Sequence, residues 1–187
     1  TFLYLRDVAT GDVWSNTFQP RCRRADREEA IFTQGRAEFR RGVFDIETQT
    51  EICVSPEDDV EIRRITLNNR GRLDRRLELT SYAEVVLAPP AADLAHRVFS
   101  SLFVQTEILP GGETVLCTRR RRDDREPDVW YFHQLCVPGQ TGRASGETDR
   151  ARFLGRNRTP AHPVALENPA GETAALSNTA GFVLDPI

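Results

Sequence analysis

Apolar and polar residues alternate along much of this chain with a period of two, the pattern of strands that bury one face of a pleated sheet. Leu77, Leu79, Ser81, Ala83, Val85 and Leu87 fall on one face of such a run. Glu78, Thr80, Tyr82 and Glu84 fall on the other, and Pro89-Pro90 stops it. Phe44 to Val54 reads as the cleanest strand. Phe44, Ile46, Thr48, Thr50, Ile52 and Val54 face one way, and Asp45, Glu47, Gln49 and Glu51 the other. One packed and one wet face is the habit of antiparallel sheets. After a turn at Ser55-Pro56-Glu57-Asp58-Asp59, the apolar phase slips from Val60 and Ile62 to Ile65 and Leu67, which predicts a β-bulge near Arg63-Arg64. Asn68-Asn69-Arg70-Gly71 closes that strand. The pattern resumes in Leu102 to Ile108, Thr114 to Thr118 and Val129 to Val137, punctuated by Pro110-Gly111-Gly112 and Pro138-Gly139. Helix is predicted only as a single turn around Ala91 to Ala95. From 139 to 187 alternation fades into Gly, Pro, Arg and Thr, so this segment is expected to be mostly loop within the same domain.

Between the strands that end near Leu87 and begin near Leu102, a loop is left at a sheet end, where side chains carry function more often than in strands. Asp93, His96 and Arg97 offer an acceptor, a switchable donor and a fork, a set suited to sugar hydroxyls or phosphate. The same residues would equally serve a loop stitched to itself by an Asp–Arg pair. Phe99 closes this candidate stretch.

The segment from Leu79 to Glu107 resembles the amino-terminal β-sandwich of glycoside hydrolase family 94 (once glycosyltransferase family 36), in the form found in cyclic β-1,2-glucan synthases. YLRDVATGDVWS at Tyr4 to Ser15 is similar to the family's opening stretch, and Phe39 to Glu61, with VSPEDDVEIRRITLNN following, to its central hairpin. ETDRARFLGRNRTPAHP at Glu147 to Pro163 and LSNTAGFVLDPI at the end continue the likeness. The resemblance implies an all-β fold, an antiparallel super-sandwich of the galactose mutarotase-like kind, here truncated at one or both ends. It also implies a parent enzyme in which a following (α/α)6 barrel carries the catalytic carboxylate for inverting phosphorolysis, with inorganic phosphate as co-substrate and no other cofactor. In the family the loop-rich region lies near the partner domain. Arg150, Arg152, Phe153 and Arg156 are therefore candidates for a domain or subunit contact.

Composition narrows these expectations. With 187 residues the chain is sized for one domain, residues 1–187. Its opening Phe2-Leu3-Tyr4-Leu5 reads as strand interior, so a fragment of a longer protein is expected. A net charge of −3 argues against a nucleic-acid partner. All 25 basic residues are Arg, which reflects a GC-rich coding bias, a use for forks that pair with carboxylates and sugar hydroxyls, or both. Cys22, Cys53, Cys117 and Cys136 lack metal-ligand spacing, and no metal site is expected. Cys53 and Cys136 fall in strand patterns, where buried reduced thiols are common. Such thiols fit a cytoplasmic location, either soluble or as the cytoplasmic part of an inner-membrane protein. The Arg119 to Arg122 run, followed by Asp123-Asp124-Arg125-Glu126, reads as a self-compensated strand end or as an anion patch. Trp14 and Trp130 are candidate sugar-stacking platforms. Trp130 and Phe132 share one face of a strand, however, so core packing is the simpler account.

The function expected is a non-catalytic accessory domain that binds or shapes access to β-glucan in a glycosyltransferase or phosphorylase. The alternatives are a purely structural docking or dimerisation module, or part of a soluble β-glucan or cellobiose-type phosphorylase. Expected partners are the barrel, a β-glucan oligosaccharide and a second copy of the chain.

Overall fold

A computed structural model describes residues 1–96, 102–121, 123–139, 144–173 and 176. Its strands are antiparallel and form two compact units, Phe2–Thr80 with Asn168–Thr173, and Ser81–Glu167 with Thr1.

The first unit pairs two sheets. Strands β1 (Phe2–Asp7) and β2 (Val13–Ser15) join β7 (Leu77–Tyr82) in the order β2-β1-β7. Strands β3 (Arg27–Thr33), β4 (Arg36–Val43), β5 (Ile46–Val54) and β6 (Glu61–Asn69) follow one another in sequence and in space. Their joint core is Leu5, Trp14, Val43 and Ile46, with Ala25, Phe44, Leu77 and Leu79 packed around it. Burying each of these larger side chains contributes about 1.5–3 kcal/mol. Across the same layer the Asn16 side-chain amide donates to Thr50 Oγ1 at 3.0 Å, so a buried polar pair registers the sheets. The turn from β1 to β2 is held by Asp7, whose Oδ1 accepts from the backbone of Ala9 and Thr10 at 2.8 and 3.3 Å. Gly11 supplies the positive φ of 77° that this turn needs.

Three sequence expectations change here. Phe44 is not a strand residue. It forms with Asp45 a two-residue hairpin loop at φ 53° and 63°, the conformation that matches the twist of the flanking strands. That backbone is costly for Phe, but its ring gains Trp14 edge-on at 5.7 Å and the Arg23 guanidinium at 4.0 Å. The β-bulge is absent too, because β5 and β6 keep one register from Ile46↔Asn69 to Val54↔Glu61. The apolar phase slips because Ile62, 62% exposed, stands opposite the exposed Cys53 at the end of the sheet. Finally, the strand that opens at Leu77 stops at Tyr82, well short of Leu87, which sits at φ 48°.

The second unit holds β8 (Val104–Ile108), β9 (Thr114–Arg119) and β10 (Trp130–Gln134) in the order β10-β9-β8. One face of this sheet carries Val104 and Cys117, which cluster with Val85 and draw in Leu87, Val115 and Tyr131. Val129 and Leu135 to Val137 lie outside β10, shorter than the strand predicted. The loop-rich segment contains a short helix α2 (Arg150–Leu154; α1 being Pro90–Ala95) and a 3-10 turn at Val164–Leu166. Asp149 caps α2 by accepting from the backbone of Ala151 and Arg152 at 2.8 and 3.2 Å. Cys117 is the buried thiol, pushed up to about 11 by desolvation, whereas Cys53 and Cys136 are exposed, contrary to their reading as buried. Among the described residues no helix is long and apolar enough to cross a membrane.

Candidate functional site

The predicted loop site is only partly visible. Asp93 and His96 lie in and just after α1, whose single turn follows from Pro89-Pro90 and the Ala-rich stretch behind them. Asp93 is half-buried and His96 is exposed, its backbone N–H closing on the Ala92 carbonyl at 3.1 Å. Arg97 and Phe99 lie outside the described residues. The acceptor thus lies on the short helix and the switchable donor at its C-terminal cap.

The contact candidates on α2 separate by burial. Phe153 is 2% exposed and stacks on Tyr82 at 5.3 Å with a 27° interplanar angle, so its ring is spent inside its own unit and is not available for docking. Arg150 reaches the Glu84 carboxylate at 3.4 Å, and the same carboxylate accepts from the Tyr82 hydroxyl at 2.8 Å. Arg152 pairs with Asp149 one turn back at 3.6 Å and keeps most of its side chain in solvent. Of the three, Arg152 is the one turned outward.

The aromatic candidates also separate. Trp14 is 1% exposed, enclosed in the first unit's core, and cannot present a face to a sugar. Trp130 and Phe132 are 63% and 58% exposed, which reverses the expectation that they pack in a core. They project from β10 on the face of the sheet opposite Cys117. On the inward face of the same strand His133 Nε2 lies 2.8 Å from Ser81 Oγ, and its Nδ1 lies 3.3 Å from the Tyr131 hydroxyl. Sequence reading missed this polar chain. The period-2 alternation does place Tyr131 and His133 together, but nothing in the pattern brings Ser81 to them.

The Arg119 to Arg121 segment shows no assembled anion site. Arg119 and Arg120 lie over the Phe103 ring at 5.2 and 5.6 Å, and Arg121 pairs with Asp128 at 3.1 Å. Arg122 lies outside the described residues.

Arginine forks pair most densely with carboxylates on the outer face of the four-stranded sheet. Arg36 binds Glu51 at 2.7 Å and Glu38 at 3.1 Å. Arg40 binds Glu38 at 2.6 Å and reaches Glu29 at 3.5 Å, and Arg64 binds Glu51 at 2.7 Å. Gln49 adds a donor to Glu38 at 2.8 Å. The hydrogen bond from Arg40 leads the forces that hold the Glu38 carboxyl below its ordinary range, against the opposing effect of burial. This ladder spans four strands with its acceptors filled, so it ties the sheet together and offers little to a ligand.

Antiparallel sheets, a buried two-layer core and an exposed aromatic strand define an all-β module of the super-sandwich class, without a clustered catalytic constellation among the described residues. The chain belongs to the glycosyl hydrolase 94 supersandwich domain family, whose match runs over residues 1–187 and so across both units. It is 42% identical, over its whole length, to a cyclic beta-(1,2)-glucan synthase of Rhizobium meliloti (strain 1021), NdvB, of which it covers 6%. It is 26% identical over 89% of its length to an N,N'-diacetylchitobiose phosphorylase of Vibrio furnissii, covering 20% of that protein. A solabiose phosphorylase of Paenibacillus borealis is 29% identical over 46% of the chain and is covered to 11%. The chain therefore spans a small part of each of these relatives.

Proposed function

We propose that this domain is the non-catalytic accessory sandwich of a carbohydrate-active glycosyltransferase or phosphorylase acting on β-1,2-glucan. The observation that carries the reading is the gap between 42% identity to a cyclic β-(1,2)-glucan synthase along the entire chain and 26% to a chitobiose phosphorylase. In this reading the domain buttresses a catalytic (α/α)6 barrel elsewhere in the parent, and Asp93, His96 and Arg97 help shape the acceptor entrance. Inorganic phosphate is a substrate of the parent, taken up at the barrel, and turnover does not occur on this chain. The parent places the domain on the cytoplasmic side of the inner membrane.

Calorimetric titration of the folded chain with β-1,2-linked gluco-oligosaccharides, against cello-oligosaccharides as control, tests this directly. Selective heat supports a sugar-binding accessory domain. A second reading, a docking or dimerisation module without sugar contact, is favoured by the exposure of Phe32, Val54 and Ile62 on the four-stranded sheet. Absence of heat together with self-association would select it.

A further inference from the structure

The sheet of β8, β9 and β10 has one covered face and one bare one, and the bare one has an unusual composition. Cross-strand register sets Trp130 beside Thr118 and Gln105, and Phe132 beside Leu116 and Glu107, with Gln134 beside Thr114 at the end. Residues directly opposite in an antiparallel pair share a face, so these side chains form one surface. It carries two exposed aromatics along one edge strand and exposed Gln105 and Glu107 along the other.

We propose that this surface is a carbohydrate platform, with rings of a β-linked glucan lying on Trp130 and Phe132 and their hydroxyls reaching Gln105, Glu107, Thr118 and Gln134. The proposal rests on the glucan reading above and adds to it the surface that makes contact. Side chains two residues apart on a strand stand about 7 Å from each other, so Trp130 and Phe132 make a continuous strip rather than two isolated groups. A sugar ring has an apolar C–H face and a rim of hydroxyls, and it needs a flat aromatic flanked by groups that both donate and accept. The bare face supplies that combination. Gln105 and Gln134 do both, Glu107 accepts, and the Thr118 hydroxyl, which donates to the Val129 carbonyl at 3.2 Å, can still accept. A face made to be covered by a second sheet would instead be apolar across all its strands. Here the apolar character stops at Leu116, and the strand beyond it offers an amide and a carboxylate.

The chain contains two tryptophans, one 1% and one 63% exposed, so acrylamide quenching of its fluorescence reads Trp130 almost alone. With β-1,2-linked gluco-oligosaccharides as the probe, saturating sugar is expected to lower the quenching constant severalfold. Phe132→Ala is expected to weaken calorimetric affinity about tenfold, the scale of one lost ring contact, and Gln105→Ala with Glu107→Ala to do the same. These side chains are exposed, so the variants should keep the wild-type far-ultraviolet spectrum, which is checked in each. Heat of binding that is unchanged in Trp130→Ala and Phe132→Ala would overturn the platform while leaving a sugar-binding domain in place. Neither heat nor protection in the folded protein would remove both readings. Protection of Trp130 that grows with protein concentration and ignores sugar would assign the face to a second copy of the chain.

Discussion

Arg6 is the residue whose loss should reveal most about how the first unit holds together. It lies on β1 at 1% exposure and spends its fork on four acceptors. One terminal nitrogen donates to Glu78 Oε2 at 2.8 Å and the Glu172 carbonyl at 2.9 Å. The other donates to the carbonyls of Asn168 and Pro169, each at 2.9 Å. One guanidinium thus fastens the segment 168–173 to a strand more than 160 positions earlier. Arg6→Ala takes the fork away from the Glu78 carboxylate, whose side chain is 16% exposed, and from three carbonyls. Removing one member of a buried ion pair typically costs about 3–5 kcal/mol. Pro169, Ala170, Gly171 and Glu172 are exposed on their outer side, so the segment can peel away and rehydrate its carbonyls. That relief caps the loss at about 3–4 kcal/mol, below the sum of four separately lost hydrogen bonds. Urea unfolding would be followed by fluorescence in a Trp130→Phe background, so that emission reports Trp14 in the same unit. Limited proteolysis would run in parallel to detect the peeled segment. Arg6→Lys should fall between wild type and Arg6→Ala, because an ammonium cannot span both pairs of acceptors. A loss under about 0.5 kcal/mol for Arg6→Ala, with no new cleavage between residues 168 and 173, would refute the account.

Two further outcomes are expected. Burial raises the Asp7 carboxyl, but the hydrogen bond from Arg75 and those from the Ala9 and Thr10 backbones outweigh it and hold it below its ordinary 3.8. A depressed folded-state value gives stability that is complete above the ordinary value and disappears as pH falls through the folded one, so Asp7→Asn should be less stable than wild type at pH 7, with the gap narrowing as pH falls below 3.8 toward the lower folded-state value, read by urea midpoints across pH. On α2, Phe153→Ala should cost about 3–5 kcal/mol by emptying the space against Tyr82, whereas the exposed Arg152→Ala should stay within about 0.5 kcal/mol; thermal melts of the pair separate a core residue from a surface one.

Period-2 alternation located most of the strands because antiparallel sheets with one covered face impose it directly. It failed where side-chain identity and backbone conformation part company. Phe44 continues the apolar phase of β5, yet the hairpin needs two residues at positive φ there, and only the contacts with Trp14 and Arg23 reveal why Phe is accepted. Ile62 imitates a bulge because an exposed apolar residue at a strand end looks like a change of phase. Trp130 and Phe132 show a deeper limit. Alternation says that two residues share a face, but which face is covered depends on what Val85 and Leu87 pack against, and those lie more than 40 positions away in sequence. The candidate loop was legible as a loop and as a single helical turn. Its chemistry was not, since Asp93 and His96 acquire meaning only from residues beside them in space. The capped helix at Arg150 was missed because five residues are too few to show a 3.6-residue stripe, although Asp149 is a good cap residue in plain view.

The absence of lysine takes on a different weight once the side chains are placed. A coding bias toward Arg would leave its positions indifferent to geometry, and at the exposed Arg125 and Arg152 that is an adequate account. It does not cover Arg6 or Arg41. Arg41 is 2% exposed. It donates to the carbonyls of Ser15 and Thr17 at 2.8 and 2.5 Å and to that of Arg23. It thereby gathers the chain that leaves β2 onto the inner face of β4. Desolvation lowers its pKa, Arg23 lowers it further, and Glu28 opposes both, yet a guanidinium starts so high that it remains charged. A lysine in the same position would be desolvated into neutrality or left with acceptors out of reach of one nitrogen. Arg36 and Arg40 repeat the logic at the surface, each bridging two carboxylates that lie on different strands. The fork is thus a construction element here: in the core it satisfies backbone carbonyls that no strand can pair, and on the sheet it links neighbouring strands side by side.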